Sequence, residues 1–254
     1  MRTDGTTLVT MPTGHQIRVL DHRAKAHDFG TWEADALRAI CGMLEPGMVV
    51  YDVGAEEGEF SALYGHIVGP ENVHLFEPTP SVWPNIRRAW EANFDALPGG
   101  AWYGFAGAGY SVGSVERLAR EWPPVCAGPL QPDSRFSVVT ERPDIPAITL
   151  DEYADLTGES PDVVVIDVEG AEGLVVQGAG GIMAGPIHLR PVFAVSVHPP
   201  SFLQRFPCTR YYDNGGRWSS EHLFRMFSDR GYVGRHVHTD HEAHWIFTPT
   251  ERTV

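Results

Sequence analysis

Acidic residues stand at the ends of apolar runs in this chain, where carboxylates can grip a polar ligand. Asp52 closes the run Met48-Val49-Val50-Tyr51, and Glu77 closes Val73-His74-Leu75-Phe76. Asp167 closes Val163-Val164-Val165-Ile166, with Glu169 two residues on. A carboxylate at such a position can accept hydrogen bonds from hydroxyls or pair with an ammonium group. Between the first two acids lies the turn Asp52-Val53-Gly54-Ala55-Glu56-Glu57-Gly58. Gly54 lets the backbone reverse sharply, and Gly58 permits close approach at the start of the next helix. His198, at the end of Val192-Phe193-Ala194-Val195-Ser196-Val197, is an imidazole suited to proton transfer at neutral pH.

These residues need a scaffold that brings several strand ends to one edge. The periodicity supplies one. Strands are expected at 48–53, 73–77, 101–106, 162–167 and 192–197, with helices between them. Trp32, Ala36, Ile40, Met43 and Leu44 form one helical stripe, with Thr31 as its cap, and Phe60, Leu63, Tyr64, Ile67 and Val68 form another. A helix over 81–94 tolerates Pro84 in its first turn. Further helices are expected near 150–156, from Ala171 onward and at 220–229. The chain closes with an antiparallel pair, 232–238 and 243–248. The whole reads as an α/β doubly wound sheet, mostly parallel with a reversed last strand, whose ligand lies beyond the carboxyl ends of the strands. Residues 1–30 read as an N-terminal extension holding a short hairpin, and 31–254 as one domain. The Gly-, Pro- and Ser-rich stretch at about 107–148 reads as an insertion, with its best strand at Arg135 to Thr140.

The 254 residues, 43% hydrophobic, can bury a full core, and the net charge of −14 disfavours nucleic acid and anionic membranes as partners. The three cysteines, Cys41, Cys126 and Cys208, form no CxxC pair and fit a reducing, cytoplasmic setting. No signal segment or membrane-length apolar run is seen. The run His236-Val237-His238-Thr239-Asp240-His241-Glu242-Ala243-His244 imitates a metal motif, but its alternate residues point to opposite faces, and no metal site is assigned to it. The turn lacks the second glycine of a GxGxxG fingerprint, which points to S-adenosylmethionine rather than a dinucleotide. Glu77 would take the cofactor's ribose hydroxyls, Asp52 its ammonium group.

The motifs resemble the FkbM-type methyltransferases. That family shows D-x-G-A-N-x-G, E-P after the second strand, an Asn in the next helix, and T-L-D ahead of K-I-D-V-E-G-A-E. Here these are Asp52-Val53-Gly54-Ala55, Glu77-Pro78, Asn93, Thr149-Leu150-Asp151 and Ile166-Asp167-Val168-Glu169-Gly170-Ala171-Glu172. The resemblance spans roughly 31–250. It implies a Rossmann-like class I fold and an S-adenosylmethionine-dependent O-methyltransferase acting on a hydroxyl of a sugar, glycan or natural product. Asp52, Gly54, Ala55, Glu56, Gly58, Glu77 and Ala106 would bind the cofactor, with Ala106 beside the adenine. Asp167, His198 and Glu169 would carry the chemistry. Two positions depart from the family: Glu56 replaces the Asn of the turn, where an acid would repel the methionine carboxylate, and Val165 replaces the Lys before Ile-Asp. Three alternatives remain open: a metal-assisted methyltransferase using Asp167, Glu169 and His198, a nicotinamide-dependent oxidoreductase, and a cofactor-binding module without catalysis. In the long loop at 199–218, Arg205, Arg210, Tyr211, Tyr212 and Arg217 suit a polar small-molecule or glycan acceptor.

Overall fold

The computed structural model describes residues 5–79, 81–102, 105–106, 147–198 and 220–250. The chain opens with a hairpin, β1 (Thr6–Thr10) against β2 (Gln16–Leu20), then α1 (Asp21–Ala26) and α2 (Ala34–Cys41). Alternation follows: β3 (Val50–Val53), α3 (Glu59–Val68), β4 (Val73–Phe76), α4 (Trp83–Asn93) and β5 (Gly100–Trp102). Two-residue strands β6 (Phe105–Ala106) and β7 (Ala147–Ile148) pair with each other on either side of the 107–146 stretch. The second half comprises α5 (Leu150–Thr157), β8 (Val163–Ile166), α6 (Glu172–Gln177), α7 (Gly180–Ala184), β9 (Val192–Val197), α8 (Ser220–Ser228), β10 (Tyr232–Thr239) and β11 (Ala243–Pro249).

Seven strands form one sheet in the order β10-β11-β9-β8-β3-β4-β5. The pairs β3/β4, β3/β8, β4/β5 and β8/β9 are parallel, and β11 runs antiparallel to both β9 and β10. The reversed last strand is therefore as expected, slotted inside the edge strand. Strand alternation sends residues to two cores. Val50, Leu75, Val163 and Val165 pack with α2, α3 and α4, while Tyr51, Val53, Phe76 and Ile166 pack with α5, α6, α7 and α8. The hairpin belongs to the first core, since Ile17 and Val19 are buried with Leu63 and Trp90. Among the described residues, no helix is long and apolar enough to cross a membrane.

Several motif residues earn their place structurally. Thr149 caps α5 in a capping box with Glu152. Asp151 accepts from the Gly181 and Ile182 amides at 2.7 and 2.9 Å, closing the start of α7. Asn93 donates to the Arg18 carbonyl and accepts from its amide at 2.8 and 2.9 Å, tying α4 to β2. Two expectations shift. Thr31 does not cap α2, whose N-cap is Glu33 in left-handed backbone, because a turn over Asp28–Thr31 intervenes. The single helix expected after Ala171 breaks at Gly178 into α6 and α7. The expected Arg135–Thr140 strand and the expected loop at 199–218 lie outside the described residues.

The parallel register sets the depth of the edge. Val53 is level with Phe76 and with Ile166, so Glu77 and Asp167 each emerge one residue beyond a strand end. Gly54 turns the chain between them at φ 97°, and a Cβ there would stand 1.7 Å from the Asp167 carbonyl oxygen. Both the conformation and the contact exclude a side chain. Gly54→Ala is expected to cost roughly 3 kcal/mol or more. For a chain of this size that lowers the melting temperature by about 6–12 °C. An unchanged melting curve would contradict this account of the strand junction.

Candidate active site

The first part of the site lies between the tips of β3 and β4. The Gly54 and Ala55 amides both donate to the Phe76 carbonyl, at 2.9 and 3.1 Å. This holds the turn against the neighbouring strand. The Glu77 side chain is buried and fixed by two backbone donors: the Thr79 amide on Oε1 at 2.7 Å and the Glu56 amide on Oε2 at 3.1 Å. Its own carbonyl accepts from the Trp83 indole at 2.9 Å. Each carboxylate oxygen retains a second acceptor position, so the fixed group suits the two hydroxyls of a ribose. Burial pushes the Glu77 carboxyl up to about 7. Asp52, also buried, accepts from the Ser61 hydroxyl, and burial raises it to about 6.

The acid of the turn that departs from the family pattern is neutralised from the N-terminal segment. Arg23 on α1 is buried and reaches Glu56 Oε2 at 2.6 Å and Glu59 Oε1 at 2.5 Å. Its guanidinium lies 5.2 Å from the Trp32 ring centroid. The two glutamates hold Arg23 firmly in its charged form. Glu57 is held separately, by His22 at 2.7 Å and by the Asn85 amide at 3.3 Å. With Glu56 paired to Arg23, the repulsion an acid would exert on the cofactor's methionine carboxylate is offset. Sequence reasoning missed Arg23. The signal was an acid in the turn with no cation near it in sequence.

The second part lies at the tips of β8 and β9. His198 is buried, with Nδ1 2.7 Å from Glu172 Oε1 and Nε2 2.7 Å from Glu242 Oε2. Glu169 Oε2 is 3.3 Å and Asp167 Oδ1 3.8 Å from the same Nε2. These carboxylates raise His198 well above the ordinary imidazole range against the cost of burial. Asp167 is raised too, first by burial and then by the charge of Glu242, whereas His198 holds Glu242 below its usual range. Glu172 also accepts from the Gly170 amide at 2.8 Å. It therefore joins the cluster rather than merely complementing a helix end. Glu242 had been hidden in the histidine-rich run and Glu33 in the N-cap of α2. Both face the cluster, and burial with the charge of Glu242 lifts Glu33 to about 8.

The structure thus brings together Asp167, Glu169 and His198, and, after the next strand, Asp52, Gly54, Ala55, Glu56 and Gly58, with Glu77 one strand further on. Ala106 is buried just past β5. One expected role changes. His198 was expected to remove a proton from the substrate, but both its nitrogens meet carboxylates and the ring is held as an imidazolium, which has no free lone pair. Among the described residues, the non-glycine residues with positive φ are Glu33 (49°), Glu56 (48°) and Glu169 (56°). All three are acids of this edge, where such backbone, costing of order 1–3 kcal/mol each, is retained for the site.

The sheet order with its reversed strand defines a class I methyltransferase fold. The methyltransferase FkbM domain matches residues 52–233, and the chain belongs to that family. The cofactor is S-adenosylmethionine, which sets aside the nicotinamide reading. No curated protein matches the sequence. Among solved structures the chain is similar to an FkbM methyltransferase from Methylobacillus flagellatus KT, at 20% identity and TM-score 0.46 over 81% of this chain and 45% of that one. This chain therefore spans less than half of that protein. It is also similar to fibrillarin from Aeropyrum pernix with natively bound S-adenosyl-L-methionine, at 12% identity and TM-score 0.46 over 96% and 93% of the two chains. A third is a precorrin-6y C5,15-methyltransferase from Geobacter metallireducens GS-15, at 12% identity and TM-score 0.46 over 85% and 87%.

The raised Glu77 carboxyl gives a pH test. Its folded value of about 7 exceeds the ordinary 4.5, so between these values the folded chain keeps a proton the unfolded chain has released. Raising the pH through that window therefore costs the folded state stability. The melting temperature of the cofactor-free protein, measured against Glu77→Gln to cancel all other groups, is expected to fall by several degrees across the window. A pH-independent difference between the two proteins would contradict the buried placement of Glu77.

Proposed function

We propose that this protein transfers the methyl group of S-adenosylmethionine to a hydroxyl of a sugar, glycan or natural product. The observation that carries the reading is the placement of two sets of carboxylates on the strand tips that flank β3. One, at Glu77, is immobilised by backbone donors as a ribose hook. The other, at Asp167 and Glu169, surrounds His198. In this reading the acceptor oxygen's lone pair forms the new bond to the methyl carbon. The carbon–sulfur bond breaks, and its electron pair stays on sulfur, leaving S-adenosylhomocysteine. The hydroxyl proton passes to the Glu169 carboxylate, whose side chain is 42% exposed and so open to an acceptor. Asp167 orients the hydroxyl, and the imidazolium of His198 fixes the two acids. Alignment of oxygen, carbon and sulfur supplies much of the acceleration.

A polar small molecule suits the strongly acidic chain, which would repel a phosphate backbone. A cytoplasmic setting fits the scarce cysteines. The composition of the Arg- and Tyr-bearing segment 199–218 supports the sugar reading, because arginine donors and tyrosine faces both suit polyhydroxyl acceptors.

The test pairs binding with turnover. Calorimetry should show S-adenosylmethionine binding and no NAD binding, and a screen of sugars, glycolipids and natural-product hydroxyls should yield an acceptor. On that acceptor, Glu169→Gln is expected to lower kcat by about 10²- to 10⁴-fold while cofactor affinity stays within a few-fold. Turnover near the wild-type rate in this variant would place the proton acceptor elsewhere. Efficient methylation of RNA or DNA would overturn the acceptor class.

A further inference from the structure

Glu242 is the centre of an arrangement that methyl transfer to a hydroxyl does not by itself require. Its side chain is 1% exposed, in the turn between β10 and β11. One oxygen, Oε2, meets His198 Nε2. The other, Oε1, is buried and accepts no hydrogen bond, with His244 Nε2 at 3.7 Å and His241 Nε2 at 3.9 Å from it. A buried carboxylate oxygen without a donor is costly, and a cation is one of the few groups that satisfies it. The donor set around it is of metal-ligating type. Asp167, His198 and Glu242 offer one ligand atom each within 4.8 Å of one another. Ligand atoms about 2.0–2.2 Å from a common ion stand roughly 3 Å apart, so a small inward movement of Asp167, now 3.8 Å from Nε2, would close the set.

His198 is oriented to ligate through Nε2 once the ion displaces the proton that this nitrogen otherwise shares with Glu242. Glu172 accepts from Nδ1 at 2.7 Å, which leaves Nε2 as the atom aimed at Asp167 and Glu242. A carboxylate behind the distal nitrogen is the usual support of a metal-bound histidine. The three ligands follow β8, follow β9 and sit in the β10–β11 turn, so strands of one sheet carry all three.

We propose that Asp167, His198 and Glu242 bind one divalent cation of the Mn²⁺ type. One imidazole nitrogen with carboxylate oxygens suits Mn²⁺ better than a softer ion that prefers thiolates. The seat adjoins Glu169, so the ion can polarise a hydroxyl before its proton leaves. That last role rests on the methyl-transfer reading; the binding itself does not. A second grouping, Glu33, Glu242 and His244, shares Glu242 and adjoins the same acids. The His198 seat is favoured because four carboxylates converge on its imidazole, while His244 Nε2 stays 3.7 Å from Glu242 and turns to Asp240 at 3.4 Å.

The experiment is Mn²⁺ titration of the full chelator-treated chain without acceptor, followed by calorimetry and by the electron paramagnetic resonance signal of free Mn²⁺. One saturable equivalent is expected. Asp167→Asn, His198→Gln and Glu242→Gln should each weaken binding by about tenfold or more, and His244→Gln should leave it within about threefold. S-adenosylmethionine affinity, measured on every variant, certifies that each is folded, and Asp167→Asn is the conservative change should the other two fail. No saturable Mn²⁺ binding, binding unaffected by Asp167→Asn and His198→Gln, or binding abolished by His244→Gln would each overturn the proposal. Because acceptor is absent, these results are independent of whether the proposed methyl transfer is correct.

Discussion

A carboxylate removed from water must be given donors, a cation or a proton, and the carboxyl edge of this sheet is organised by that requirement. Each buried acid has a different answer. Glu77 has two backbone amides, Asp52 has the Ser61 hydroxyl, and Glu59 has Arg23. Glu172 and Glu242 share an imidazolium. The answers come from distant parts of the chain: Arg23 from the first helix, His198 from β9 and Glu242 from the last hairpin. The edge is therefore complete only when the N-terminal hairpin segment and the C-terminal strand pair are both folded onto the sheet. The reversed strand β11 matters for this reason. By entering between β9 and β10 it carries the turn with Glu242 to the strand tips.

Much of this was legible in the sequence. Apolar runs that stop at an acid, with helical stripes between them, gave the parallel order and the edge at which Asp52, Glu77 and Asp167 meet. Most strand boundaries moved by a residue or two because turns claim the ends of runs: Met48 and Val49 precede β3, and Asp162 gives its carboxylate to the Val49 amide at 2.8 Å instead of extending β8, whereas the strand expected over 101–106 divides into β5 and β6 in separate sheets. The glycines at the β3 turn were legible as backbone requirements, and the structure supplies the reason at Gly54.

What was not legible depended on long-range electrostatics. Nothing in local pattern links Arg23 to Glu56 across 33 positions, or His198 to Glu242 across the last hairpin. For that reason Glu56 looked like an unfavourable departure and His198 looked like a free base. In the folded chain Glu56 is half of an ion pair, and His198 is the cation among acids. Glu242 was masked by the histidines flanking it, since the run invited attention to its imidazoles. The left-handed backbone of Glu33, Glu56 and Glu169 was equally hidden, because φ of a non-glycine residue is set by tertiary context.

The central claim is that the two halves of the edge serve one reaction, with the cofactor's ribose at Glu77 and its sulfur turned toward Asp167 and Glu169. A crystal structure of the full chain with S-adenosylhomocysteine tests this most directly. The account predicts both ribose hydroxyls within hydrogen-bond distance of the Glu77 carboxylate, the Asp52–Gly58 turn around the amino-acid end, and the sulfur on the side of the His198 cluster. A nucleoside seated away from Glu77, or a sulfur directed away from Asp167 and Glu169, would contradict it.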